Sequence, residues 1–416
     1  MTTPLAEKIR AFIRANGPIS VTDYFALCLA DPEHGYYKTR EPFGAKGDFT
    51  TAPEISQLFG EMVGVFLVQA WQAHGAPSEF HLAEIGPGRG TMMADILRVI
   101  KKLAPDMFEA AQIHLIETSE RLRKVQAQTL VADKWKITWH DGFDGIPPGP
   151  LLLAANELFD AIPIRQFVKT ATGFRERMVG LDADGNLTFA AGIAGVDPAL
   201  LPGPPGPQPM GTIAEFAPAR LAVMQALCQR LLEGGGSALI IDYGHVASGY
   251  GDTLQAIRAH QFDPPLAHPG EADLTSHVDF EALARTAHLS GLHVNGVMHQ
   301  GDFLAGLGIY ERAEALARGK ESFAAEEIAG AVERKHGGTL QGPRRFIAPR
   351  RTRTVYSPPS TGRRLTDRST VCNIRLESGT APGDPARQGR HNGRRDHGYL
   401  HRPEPDRQRR PAECIG

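Results

Sequence analysis

His81-Leu82-Ala83-Glu84-Ile85-Gly86-Pro87-Gly88-Arg89-Gly90-Thr91 runs from an apolar strand through glycines at every second position into a helix. Glycine lacks a Cβ, so backbone N–H groups can approach a ligand and positive φ costs little; the helix that follows adds its positive N-terminal end. This is the chemistry of a turn that cradles a nucleotide. The dinucleotide fingerprint is G-x-G-x-x-G. Here the spacing is G-x-G-x-G, and an acid, Glu84, stands two positions before the first glycine.

Outward from the turn, the spacing of Met93, Ile96, Leu97 and Ile100 predicts a helix over Met92–Leu103. A strand, Ile113-His114-Leu115-Ile116, follows and ends in Glu117. Strand, helix and strand make a right-handed βαβ unit, whose second strand lies beside the first and opens into the same crevice. Glu117 is then within reach of a ribose, or else caps the helix that begins near Thr118-Ser119-Glu120.

The length of 416 residues allows one large α/β domain with an insertion, or two domains. Cys28, Cys228, Cys372 and Cys414 form no C-x-x-C pair, which speaks against a zinc site and a disulfide framework. No apolar run reaches signal-peptide or spanning length, so the expectation is a cytoplasmic protein without membrane insertion. The net charge of −2 hides an asymmetry: residues 341–416 hold 17 Arg, no Lys and 7 acids, which leaves residues 1–340 with 28 basic and 40 acidic side chains. An acidic body disfavours nucleic-acid binding by the main domain and suits a cationic substrate.

Leu5–Ile13 and Val21–Leu29 read as two helices around Asn16-Gly17-Pro18. A polar loop follows through Gly47-Asp48-Phe49-Thr50-Thr51, after which Pro53 suits the first turn of a helix running towards Trp71. Further strands are predicted at Ile137–His140, Leu151–Ala155 and Ala238–Ile241, the second apolar on both faces as a central parallel strand should be. Between Pro163 and Ala214 the pattern turns to short alternating pieces around Asp182-Ala183-Asp184-Gly185-Asn186, an inserted β-rich subdomain. Helix Ala219–Leu232, closed by Gly234-Gly235-Gly236, returns to the sheet. From about Gly338 periodicity stops. The arginine-rich remainder is either a natural disordered basic tail or an out-of-frame stretch, and its one candidate strand is Arg345-Phe346-Ile347-Ala348.

Asn156-Glu157-Leu158-Phe159-Asp160-Ala161-Ile162-Pro163 follows the central strand at its carboxyl end, where open α/β sheets place reacting groups. Asn156 offers a donor and an acceptor, while Glu157 and Asp160 bring negative charge. An N-cap with first-turn acids accounts for the same residues equally well.

The blocks Pro32-Glu33-His34-Gly35-Tyr36-Tyr37, Gly47 to Glu61, Glu84 to Gly90, Asn156 to Ala161 and Ile241-Asp242-Tyr243-Gly244 together resemble the MidA-like family of methyltransferases that use S-adenosyl-L-methionine (SAM). The resemblance covers roughly residues 1–335. It implies a Rossmann-like α/β fold, a mostly parallel doubly wound sheet with an N-terminal helical extension and a β-rich insertion. It also implies SAM as cofactor and protein arginine N-methylation; mitochondrial members of the family are complex I assembly factors that methylate an arginine of a core subunit. The protein partner expected is therefore a complex I subunit. By the same resemblance Gly86, Gly88 and Gly90 form the cofactor turn, Glu84 faces the cationic methionine end and Glu117 is the ribose acid. The family closes with an apolar strand where Leu340 to Pro349 is rich in Arg and Pro.

A guanidinium is planar and always charged, so carboxylates can hold it bidentately. Glu157 is the first candidate for that clamp, with Asp160 and Glu54 as the others and Asn156 on the cofactor side. His245 is a candidate proton acceptor or a structural histidine. The chain divides into 1–75 (helices and a lid loop), 76–162 with 215–340 (Rossmann-like core), 163–214 (insert) and 341–416 (tail). Two other functions fit the same motifs: methylation of a small molecule, and an assembly chaperone that binds SAM without catalysis.

Overall fold

The crevice that the glycine turn requires arises from the order of strands in one sheet. In the computed structural model these are β1 (Phe80–Ile85), β2 (Ala111–Ile116), β3 (Ile137–His140), β4 (Leu151–Asn156), β5 (Gly236–His245), β6 (His293–His299) and β7 (Thr370–Glu377). Their order across the sheet is β6-β7-β5-β4-β1-β2-β3, and the short Val278–Asp279 pairs with the end of β5. From β1 the chain moves outward to β2 and β3, then returns to β4 on the other side of β1. The order reverses between β1 and β4, so their carboxyl ends splay a gap between the loops that leave them.

The structure describes residues 2–39, 51–130, 135–203, 206–317 and 370–377. All of these belong to the unit Met1–Gly379; a second unit, Thr380–Gly416, lies outside the described residues. So do part of the polar loop after Tyr37, residues 40–50, and most of the arginine-rich stretch, including the candidate strand Arg345–Ala348.

β1 and β4 are buried along almost their whole length, as strands covered on both faces must be. The helices that cover them are α1 (Gln57–Ala73), α2 (Thr91–Leu103), α3 (Glu120–Leu130), α4 (Pro218–Gly234) and α5 (Phe280–Leu289). α2 buries Met93, Ile96, Leu97 and Ile100 against Leu58, Met62 and Phe66 of α1 in the core on one face of the sheet. On the other face Met224, Leu227 and Leu231 of α4 pack with Phe280 and Leu283 of α5. Pro53 starts only the short helix Ala52–Ile55; the chain breaks at Ser56, which caps α1 through its hydroxyl and Leu58 N–H.

The insert strands Arg165–Thr170, Gly173–Leu181, Leu187–Gly195 and Ile213–Phe216 form an antiparallel sheet, to which the N-terminal Ile19–Ser20 adds a strand. Its hairpin turn is held by Asp182, whose Oδ1 accepts from the N–H groups of Asp184 and Asn186, with Gly185 at φ 79°. A third, small sheet joins Gln255–Arg258, Gln261–Asp263 and Asp273–Thr275.

Two expectations are corrected. The place beside β5 expected for Arg345–Ala348, which lies outside the described residues, is held by β7, antiparallel between β5 and β6. The tail is accordingly not featureless over residues 370–377. β5 and β6 each face the gap with unpaired N–H and C=O groups, and β7 satisfies both edges at once. Its sequence, Thr370-Val371-Cys372-Asn373-Ile374-Arg375-Leu376-Glu377, is free of proline and carries β-branched residues, and Leu376 is buried in the core. The second correction concerns β5, which extends through Asp242 to His245 and so buries Asp242 within the sheet.

Candidate active site

Glu54, Glu84, Gly86, Gly88, Asn156, Glu157 and Asp160, drawn from three separate segments, line one cavity of about 230 Å³ at the ends of β1 and β4. The glycine turn adopts positive φ at all three glycines, 65°, 53° and 82°. The geometry also shows why two of them have no side chain. A Cβ on Gly86 would stand 3.0 Å from Leu158 Cδ1, and one on Gly90 would stand 3.3 Å from Leu130 Cδ1, so packing as well as ligand approach excludes it. Gly90 serves as the N-cap of α2 without a side-chain cap bond.

Glu84 is 2% exposed. Its carboxylate accepts from Met93 N–H in the first turn of α2, while Oε2 is buried with no partner among the described residues. Burial raises this carboxyl to about 8, against the lowering effect of that hydrogen bond. A buried carboxylate oxygen with nothing to pair fits a cation supplied by a ligand. Asn156 Oδ1, which lines the same cavity, is likewise buried with no partner among the described residues.

Glu117 is buried and is not among the residues that line the cavity. Oε1 accepts from Ser119 N–H at 2.7 Å and Oε2 from Gln126 Nε2 at 3.2 Å. The same Gln126 Nε2 donates to Gly88 O at 2.9 Å, and Trp139 Nε1 donates to Gln126 Oε1 at 2.8 Å. Gln126 therefore ties the second-strand acid to the glycine turn. Nothing in the sequence marked it, because a glutamine on a helix is ordinary until tertiary contacts bury it.

Glu54 is not a free acid. Its Oε1 accepts from Thr91 Oγ at 2.8 Å and its Oε2 pairs with Arg89 at 3.4 Å, fastening the helix Ala52–Ile55 to the turn. Glu157 adopts φ 51°, the left-handed region that costs a residue with a Cβ on the order of 1 kcal/mol. Residues Glu157–Ile164 form turns and no helix, which removes the N-cap account of Asn156. The turn is shaped instead by Asp242, fully buried, whose Oδ2 accepts from Phe159 N–H at 2.8 Å and Asp160 N–H at 3.3 Å.

Arg220 completes this arrangement. It is 1% exposed and donates to the carbonyls of Ile162, His277, Asp160 and Ser276 at 2.6–3.3 Å. Burial raises the carboxyls of Asp160 and Asp242, Asp242 further by repulsion from Asp160, and the Arg220 charge opposes both shifts. His245 belongs elsewhere. It faces a second cavity with His277 and Arg220, 3.9 Å from Asp279, and burial lowers its pKa. The proton-acceptor role is thereby corrected, since the histidine does not line the glycine-turn cavity.

The opposite wall was not anticipated. It consists of Tyr37 and the small sheet, from which Gln255, Ile257, Phe262, Asp273 and Thr275 face the cavity. Tyr37 had been noted only as part of a motif. The hairpin was illegible because its turn residues, Ala259 and His260, take φ 50° and 62° without a glycine.

Glycine cradle, buried acid with one unpaired oxygen and strand-order reversal make a Rossmann-like site suited to a nucleotide cofactor. Residues 62–298 match the family described as "Putative S-adenosyl-L-methionine-dependent methyltransferase", and the chain belongs to that family. It is 36% identical over 357 residues to the mouse protein arginine methyltransferase NDUFAF7, mitochondrial, covering 80% of each chain. The human protein of that name is 34% identical over 76% of this chain and 75% of its own. A Burkholderia thailandensis structure bound to S-adenosyl-homocysteine aligns with TM-score 0.70 at 25% identity, covering 90% of this chain and 92% of that one. SAM is the cofactor. The cytoplasmic expectation is overturned, because these relatives are named as mitochondrial proteins. Its cues, unpaired cysteines and no long apolar run, do not distinguish one reducing compartment from another. No helix among the described residues is long and apolar enough to cross a membrane.

Proposed function

We propose that this chain methylates an arginine nitrogen of a protein, a subunit of respiratory complex I. The observation that carries the reading is the charge of the cavity: Glu157, Asp160 and Asp273 line it, and Arg89, the one Lys or Arg among the described residues that line it, is already paired with Glu54. The names of the curated relatives support the arginine and the mitochondrial setting. Gly86, Gly88 and Gly90 would hold the nucleotide end of the cofactor, Glu84 and Asn156 its methionine end, and Glu117 its ribose. When bound, SAM supplies an electrophilic methyl group on a sulfonium.

The remaining chemistry falls to the chain. Glu157, held in its strained turn, would take the guanidinium and keep one nitrogen directed at the methyl carbon; fixing two reactants in line contributes several kcal/mol. As the N–C bond forms and the methyl–sulfur bond breaks, one N–H proton leaves the nitrogen, and Asp160, whose proton affinity burial has raised, would receive it. Glu54 acts at one remove, by holding Arg89 and Thr91.

The test is transfer of labelled methyl from SAM to unmethylated complex I, followed by acid hydrolysis. Label in methylarginine of a complex I subunit is expected. Label confined to small molecules would make this a small-molecule methyltransferase, and cofactor binding without label would make it a chaperone; either result overturns the proposal.

A further inference from the structure

The small sheet beside the cavity has a register that sorts its side chains. Ile257 pairs with Phe262 on one neighbour and with Asp273 on the other, so Phe262, Ile257 and Asp273 form one row across three strands. Gln255 pairs with Thr275 two residues away, which by the period of a strand puts that pair on the same face. All five line the cavity. Within the face, Gln255 Nε2 donates to Thr275 Oγ at 3.2 Å, and across to the N-terminal segment Tyr37 Oη donates to Asp273 Oδ1 at 3.3 Å.

The row is graded. Asp273 is buried, whereas Phe262 is 80% exposed at the cavity rim. A phenylalanine left in water beside an acid-lined cavity has the character of a contact for a large partner, since aromatic anchors dominate such interfaces. A small guanidine would fill the acid cavity without need of an outlying ring. The buried, unpaired Oε2 of Glu84 is separate from this wall and marks the same cavity as built for cations.

We propose that this sheet face is the acceptor subsite for a polypeptide, in which Asp273, positioned by Tyr37, selects the cationic side chain and Phe262 receives the chain that flanks it. The proposal rests on the protein-methylation reading and adds the residues that choose the acceptor. Charge complementarity supports it: a guanidinium entering the cavity finds Asp273, Glu157 and Asp160 among its lining residues, with Arg89 neutralised by Glu54.

The experiment compares Asp273→Asn, Phe262→Ser and, as a surface control, Ile193→Ser, which removes another exposed apolar side chain (96%) from a site that does not line the cavity. For each full-length protein, KM and kcat are measured with unmethylated complex I, and the Kd of S-adenosyl-homocysteine by calorimetry. Asp273→Asn is expected to raise KM at least tenfold and Phe262→Ser about three- to tenfold, with the Kd within twofold and Ile193→Ser at wild-type values. Unchanged KM in both variants, in preparations where the wild type methylates protein, overturns the subsite alone. Loss of S-adenosyl-homocysteine binding in Asp273→Asn would signify a folding defect; the exposed Phe262 then decides, an unchanged KM overturning the proposal and a raised one sustaining it. A wild-type protein that labels no protein at all overturns the reading beneath, and the subsite with it.

Discussion

The two sides of the cavity are built in opposite ways. The cofactor side is nearly one stretch of chain: Glu84 through Thr91 supplies the buried acid, the glycine cradle and the start of α2, and Glu117 comes one βαβ step later. The proposed acceptor side is gathered from Tyr37, the Glu157–Asp160 turn, Tyr243 and the small sheet, residues more than 200 positions apart. Shape on the cofactor side comes from backbone conformation, positive φ at three glycines. On the acceptor side it comes from buried charge, with Asp242 gathering the N–H groups of Phe159 and Asp160 while Arg220 gathers the carbonyls around them. A backbone-built wall fails when a Cβ is added; a charge-built wall fails when one partner is removed.

The largest effect should follow from removing the cation of the charge-built side. Arg220→Met leaves buried Asp160 and Asp242 without their counter-charge and several carbonyls unpaired, and should cost about 3–5 kcal/mol, read as a lower urea midpoint. If stability stays within 1 kcal/mol, the acceptor turn does not depend on Arg220 and the contrast between the two sides fails.

Next in size is chemistry. Glu157→Gln preserves shape and removes charge, so kcat should fall by one to three orders of magnitude, about 1.4–4 kcal/mol, with the Kd of SAM little altered. Full turnover in this variant would leave Glu157 a turn residue only. On the cofactor side the pattern should invert: Gly88→Val, forced into φ 53°, should weaken SAM binding at least tenfold, about 1.4 kcal/mol, by calorimetry. Unchanged affinity in folded protein would remove the cradle assignment.

The smallest effect sharpens the role of Glu84. Its folded pKa, about 8, lies above the ordinary value of 4.5, so ionising it opposes folding: its contribution to stability is complete below about 4.5 and is lost as pH rises through 8. A cationic ligand favours the ionised form, so SAM binding near pH 7 should release a proton, and affinity should rise severalfold towards pH 8. Calorimetry in two buffers of different ionisation heat measures the proton, and Glu84→Gln should abolish it. A proton count of zero in the wild type would mean that SAM binding leaves the ionisation of Glu84 unchanged.

How much of this was legible follows the same division. The βαβ unit, the glycine turn, Glu84 and Glu117 could be read from spacing, and so could the central strand ending in Asn156 and the hairpin insert around Gly185. Glu54 was legible as an acid near the site but not as the partner of Arg89 and Thr91, since an ion pair between residues 54 and 89 leaves no local pattern. β7 escaped because the signal sought was the family's apolar strand at residues 340–349, and the pairing demand of β5 and β6 is met some thirty residues later. For His245 the sequence left a proton acceptor and a structural histidine open, and only the packing, which turns it to the second cavity beside Asp279, favours the structural one.

By itself the sequence determined those features whose physics is local: the period of strands and helices, the positive φ that glycine permits, and the place of acids at strand ends. Only the tertiary structure decided which acids are buried, which are paired, and which side chains share a cavity. Burial and pairing depend on what other segments bring up against a residue, and a carboxylate such as Asp242 or Asp273 has the same local sequence whether its surroundings turn out to be water, an arginine or a cavity wall.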